Sequence, residues 1–216
     1  MARTIPLIRA ANVLPLVRFL EANGEDAARF LDAADLGYWF ALAPEDPVPM
    51  LNAIALLRDI AHEHGPDVGT RIVSQASVAE LAFIGRVALG ARSPAEAMKR
   101  VAMAIPLHSS HEVIRAEAGN DGFTITERIT APVDAEALHA VHVLFCAMIR
   151  QLCLFTGLQP PLLARIEAQP HPEVGVADLA EHFGTEVLPS RDGALRITLA
   201  PHVAQNPFRV VARDRL

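Results

Sequence analysis

Four residues with metal-ligand chemistry fall along one run of the chain: His139, His142, Cys146 and Cys153, at i, i+3, i+7 and i+14. At about 100° per helical residue they share a sector of roughly 60°. Imidazole and thiolate are preferred ligands of zinc and haem iron, so the first three define a metal reading of this face. A single helix face rarely completes a tetrahedral shell, and neither CxxC nor HExxH occurs, so plain packing and a partly polar pocket wall compete with that reading. The two cysteines stand about 10 Å apart on such a helix and cannot bridge each other there. Free thiols of this kind suit a reducing cytoplasm. Arg150 lies near the middle of the same apolar run and is the best anchor for a carboxylate ligand, because guanidinium pairs with carboxylate through two hydrogen bonds.

His108 and His111 flank Ser109 and Ser110. A hydrolase would also need a positioned acid and an oxyanion hole, and no GxSxG marks one. Gly85-Arg86 and Gly90-Ala91-Arg92 are too sparse for a phosphate loop, and GxxxxGK[ST] and GxGxxG are both absent. The ligand-binding candidates are therefore His139, His142, Arg150, Cys146 and His111; no catalytic residue, metal or cofactor is assigned. The competing class is a small-molecule enzyme or metal protein that uses His108, His111, His139 and His142.

These side chains need elements to position them. Pro15 opens a helix stopped by Asn23-Gly24, and a second short helix passes through Phe30 and ends near Leu36-Gly37. The segment 44–49 holds three prolines in six residues and reads as a rigid loop. Pro49 begins a stronger helix, with Leu51, Ile54, Leu57 and Ile60 at helical spacing, ended by Gly65-Pro66. Ser93-Pro94-Ala95-Glu96 has the form of a capping box and predicts a helix to about Met103. After Pro106 the character changes. The runs 111–118 and 123–129, joined by Gly119-Asn120-Asp121-Gly122, predict a β-hairpin in which Phe123, Ile125 and Ile129 face inward. Asp134 caps the longest helix, which stops at Gly157. Strands follow at 162–169 and 195–199, with a short helix at 177–183 and an extended piece at 186–188 that turns back through Asp192-Gly193 as a second hairpin. This order predicts an α+β fold: a helical N-terminal half packed on a mainly antiparallel sheet, with one long buried helix.

Composition narrows the function. Of 216 residues 51% are apolar and 20% charged, and the mean hydropathy of +0.26 excludes a disordered chain. A net charge of −6 with Lys99 as the sole lysine argues against a nucleic-acid surface. The start of the chain shows no secretory signal. The most apolar stretch, 137–155, is broken by His139, His142, Arg150 and Gln151, which favours a core helix over a membrane span. A cytoplasmic protein without membrane contact is expected.

The order of short motifs resembles one family. Ile5-Pro6-Leu7, Gly24-Glu25-Asp26, Asp46 to Pro49, Ile60-Ala61 with Gly65-Pro66, Gly85, and Ser93-Pro94-Ala95-Glu96-Ala97 are similar in order and spacing to the N-terminal effector-binding domain of AraC-type transcriptional regulators, arabinose-binding-like subgroup. The similarity continues through Ile166 to Pro172, Phe183-Gly184, Ala194 to Ile197 and Asn206-Pro207-Phe208. The resemblance implies an effector-sensing domain over 1–208, with a helical part to about 106 and a sheet with its long helix over about 107–208. It implies a small-molecule effector, without implying arabinose itself, a homodimer, and DNA contact only through a C-terminal helix-turn-helix domain absent from these residues. The stretch 209–216, with three arginines, is expected to begin the linker to that domain. The expected pocket lies between the long helix and the hairpin, near His139, His142 and Arg150; a pure oligomerisation module is the third reading.

Overall fold

The computed structural model describes residues 4–209. β1 (Leu7–Arg9) pairs antiparallel with β2 (Pro47–Pro49). Part of the predicted proline loop is therefore a strand. Prolines cannot donate to a ladder, but a two-stranded ribbon tolerates them, and Val48 between them is fully buried. α1 (Leu14–Ala22) carries Pro15 in its first turn, and α2 (Ala27–Ala33) is capped by Asp26, whose Oδ1 accepts the Ala28 N–H at 3.0 Å. α3 (Met50–His64) stops at Gly65, which takes a φ of 99°.

Three short helices follow: α4 (Gly69–Ile72), α5 (Gln75–Glu80) and α6 (Ala82–Leu89). α7 (Pro94–His108) begins with half of the predicted capping box. Ser93 Oγ accepts the Glu96 N–H at 3.3 Å, but the Glu96 carboxylate accepts from the Arg92 N–H at 3.1 Å rather than from Ser93. α7 also continues past Met103 and through Pro106. Burial of Ile105 and His108 offsets the N–H that Pro106 lacks.

The hairpin is β3 (Glu112–Gly119) with β4 (Gly122–Ile129), in the register Glu112↔Ile129 to Gly119↔Gly122. α8 (Ala135–Leu154) is capped by Asp134, which accepts the Ala137 N–H at 2.8 Å. β5 (Arg165–Ala168), α9 (Ala177–Phe183), β6 (Glu186–Pro189), β7 (Leu195–Leu199) and α10 (Pro201–Ala204) complete the chain. The sheet order is β3-β4-β7-β5-β6, antiparallel except for β5 with β6. The predicted second hairpin does not form. β6 lies parallel to β5 at the sheet edge, where Pro189 needs no partner, whereas β7 inserts between β4 and β5 and buries Leu195, Ile197 and Leu199 completely.

The fold is α+β, as the element order predicts, and one continuous apolar core runs through both halves. α8 lies at its centre. The sheet flanks one side of it and α3, α4 and α5 the other. A Cβ at Gly69 would stand 2.7 Å from the Leu144 backbone nitrogen, so only glycine lets α4 approach the α8 backbone this closely. By length and composition α8 could cross a membrane, but here it is the core helix. The expected linker, 209–216, falls outside the described residues apart from Arg209.

Candidate functional site

The N-terminal helices do not close completely on α8. A cavity of about 190 Å³ remains between α1, α3, α5, α6 and α7 on one side and α8 with the start of the hairpin on the other. From α8 the wall takes Val141, Leu144, Phe145, Met148 and Leu152, a single stripe at helical spacing. Opposite it stand small residues, Ala53, Gly85 and Ala88, which leave the space unfilled. A Cβ at Gly85 would meet the Val78 carbonyl oxygen at 2.3 Å, so α5 and α6 touch backbone to backbone beside the cavity.

Three polar side chains reach this wall: Asn12, His108 and Glu112. His108 Nε2 donates to Asn12 Oδ1 at 2.8 Å, which leaves Nδ1 as an acceptor without a partner. Burial pushes the His108 pKa down to about 4, with Arg9 adding to the effect and Glu45 opposing it, so the ring is neutral at pH 7. Burial pushes the Glu112 carboxyl up to about 7, offset in part by Ser109. Glu112 is partly buried and borders the cavity.

The opposite face of α8 carries the residues that sequence chemistry singles out. His139, His142 and Cys146 are all buried there. His142 Nδ1 accepts the Gln169 N–H at 2.9 Å, and His139 Nδ1 donates to the Gln169 carbonyl at 2.8 Å. Glu127 Oε2 lies 3.6 Å from His142 Nε2, and neither atom has a hydrogen-bond partner. That distance suits an ion pair, but the protonation states do not. Burial lowers His142 to about 3, with His139 contributing, and raises Glu127 well above the carboxylate range, with Glu112 adding and Arg128 opposing. His142 is therefore neutral at pH 7, and burial disfavours the charged form of Glu127. Burial also raises both thiols, Cys153 to about 12, so neither is a nucleophile.

The structure thus brings His139, His142 and Cys146 into one band, away from the cavity wall. Arg150 donates to the His182 carbonyl at 3.2 Å and stacks over the Phe183 ring at 5.0 Å. His111 Nδ1 meets Ser110 Oγ at 2.8 Å. None of the five predicted ligand-binding residues lines the cavity. Nor do His108, His111, His139 and His142 converge: among the described residues, the group with ligand atoms within 4.8 Å of one another is Glu25, Glu63 and His64. That group is already an ion-pair network, with His64 Nε2 at 2.6 Å from Glu25 and Arg29 at 3.6 Å from Glu63.

Sequence reasoning missed Asn12 and Glu112. The parity of β3 held the signal for the second, since Glu112 shares the phase of buried Ile114.

Comparison with known proteins adds two findings. The family described as the N-terminal arabinose-binding domain of AraC transcription regulators matches residues 24–207. The crystal structure of the transcriptional regulator CdpR from Pseudomonas aeruginosa has a similar fold, with a TM-score of 0.58 and 14% sequence identity over 92% of this chain and 57% of that one. This chain therefore spans little more than half of that regulator. No curated protein matches it by sequence.

Proposed function

Because this chain belongs to the family of N-terminal arabinose-binding domains of AraC transcription regulators, we propose that it senses a small-molecule effector and that the apolar cavity is the effector site. The observation that carries this reading is the cavity's position: its wall is shared by the N-terminal helices and by α8 with the hairpin. A molecule seated there touches both halves. If it binds one arrangement of the halves more tightly than another, it shifts the population between them, and that shift is the signal.

A pentose fits this wall poorly. Each buried sugar hydroxyl left unpaired costs about 1–3 kcal/mol, and three polar side chains cannot serve a whole sugar. The effector is therefore an apolar compound. The domain acts by binding rather than turnover, as a cytoplasmic homodimer, and reaches DNA through a helix-turn-helix domain.

Thermal unfolding in the presence of small apolar compounds tests the site. A binder raises the Tm by mass action, and Ala88→Phe, which fills the cavity, removes the rise. Silence across apolar compounds, or a rise that survives Ala88→Phe, counts against the cavity. Size measurement at rising concentration tests the dimer.

A further inference from the structure

We infer that the cavity is selective for a small apolar amine, whose ammonium group docks on the Glu112 carboxylate. The inference rests on reading the cavity as the effector site and adds the ligand's chemical class. Its first ground is the charge of the wall. Among the described residues no lysine or arginine lines the cavity, and of its three polar side chains Asn12 and His108 are engaged with each other. Glu112 is left as the lining group that can carry charge, and that charge is negative.

The second ground is that no neighbouring cation is available to Glu112. The register pairs Glu112 with Ile129 and Ile114 with Glu127, so both glutamates project from the same face of the hairpin, one pair apart. Glu127 is 1% exposed and both its carboxyl oxygens lack a hydrogen-bond donor. The cations nearby are committed elsewhere. Arg128 pairs with Asp192 at 2.6 Å, and Arg9 donates to the Leu107 and Glu45 carbonyls at 2.7 and 2.9 Å. His142, facing Glu127 from α8, and His108, at the end of α7, are both held neutral by burial. With Glu112 as the carboxyl on its wall and no cation from the described residues beside it, the cavity disfavours an anionic ligand and favours a cationic one. An ammonium that leaves water needs a charged hydrogen-bonding partner, and Glu112 supplies it.

Size sets the third limit. An apolar cavity of about 150 Å³ holds benzene, so this one suits a ligand of about eight non-hydrogen atoms.

The test compares n-hexylamine, 1-hexanol and hexanoate, which differ only in the polar end, by titration calorimetry on the 216-residue chain at pH 7. The amine is expected to bind roughly tenfold tighter than the alcohol, with hexanoate weakest. In Glu112→Gln the amine's advantage over the alcohol should disappear. An alcohol that binds as tightly as the amine, or an amine preference that survives Glu112→Gln, overturns the assignment and leaves the cavity as a general apolar site. If none of the three binds, the effector-site reading falls with it. Should Glu112→Gln fail to fold, the ranking of the three ligands on the unaltered chain still decides.

Discussion

The two faces of α8 divide chemistry from space. Toward the sheet it presents His139, His142 and Cys146, every one buried. Toward the N-terminal helices it presents Val141, Leu144, Phe145 and Met148, which carry no reactive group and border the 190 Å³ cavity. The conspicuous face is closed and hydrogen-bonded into the core, whereas the plain face is the one with room for a ligand. Reactive side chains at suggestive spacing therefore mark a binding site only where the packing also leaves a void.

The largest effect that could break this contrast comes from the closed face. His142→Ala removes the acceptor of the Gln169 N–H and opens a hole in the core, so a loss of about 3 kcal/mol is expected in urea denaturation. A loss below about 1 kcal/mol would mean that this face is as loosely packed as the other.

The pH dependence of stability comes next, and each face contributes one glutamate and one histidine. Glu112 and Glu127 have raised values in the folded chain, so their contribution is whole below about 4.5 and is lost as pH rises, through about 7 for Glu112. His108 and His142 have depressed values, so theirs is whole above about 6.5 and is lost as pH falls toward about 4 and about 3. Stability should be highest at mildly acidic pH and decline on both sides. Glu127→Gln should flatten the alkaline decline more than Glu112→Gln, because Glu127 is 1% exposed and lacks a hydrogen-bond donor, whereas Glu112 borders the cavity. The opposite order, in denaturation at pH 5.5 and 8.5, would move the stronger desolvation to the cavity side.

Smaller changes sharpen the comparison on the open face. Met148 is half-buried beside an existing void, so Met148→Ala should cost about 1 kcal/mol, well under the price of the same truncation in a sealed core. Ala53→Leu, which grows into the cavity, should change stability by less than about 1 kcal/mol in either direction while abolishing 1-hexanol binding in calorimetry.

Much of the fold was legible because its signals were local. The Asp134 cap, the Gly119 to Gly122 turn, Gly65 and the helical spacing of 134–156 each act within a few residues. The placement of β6 and β7 was not, because nothing near Asp192-Gly193 encodes that β5 will lie between the two strands. β1 with β2 was hidden by prolines that usually argue against a strand. The site divides in the same way. A void is a property of how helices meet, and no residue type announces one. Glu127 was also passed over, although it sits in the same phase as Phe123, Ile125 and Ile129, the residues that mark the buried face; a carboxyl at that parity is an exception that asks for a reason.

The Gln169 peptide has a mechanical consequence for α8. Its N–H is held by His142 and its carbonyl by His139, so the helix is pegged to the sheet near its first turns. Any load from a filled cavity falls further along, at Leu144 to Leu152. Beyond the load, the Phe155 carbonyl takes the Arg209 N–H at 2.9 Å and the Thr156 carbonyl takes Asn206 Nδ2 at 3.4 Å. With fulcrum, load and output laid out in that order, α8 would work as a lever whose long arm ends at its contacts with Asn206 and Arg209.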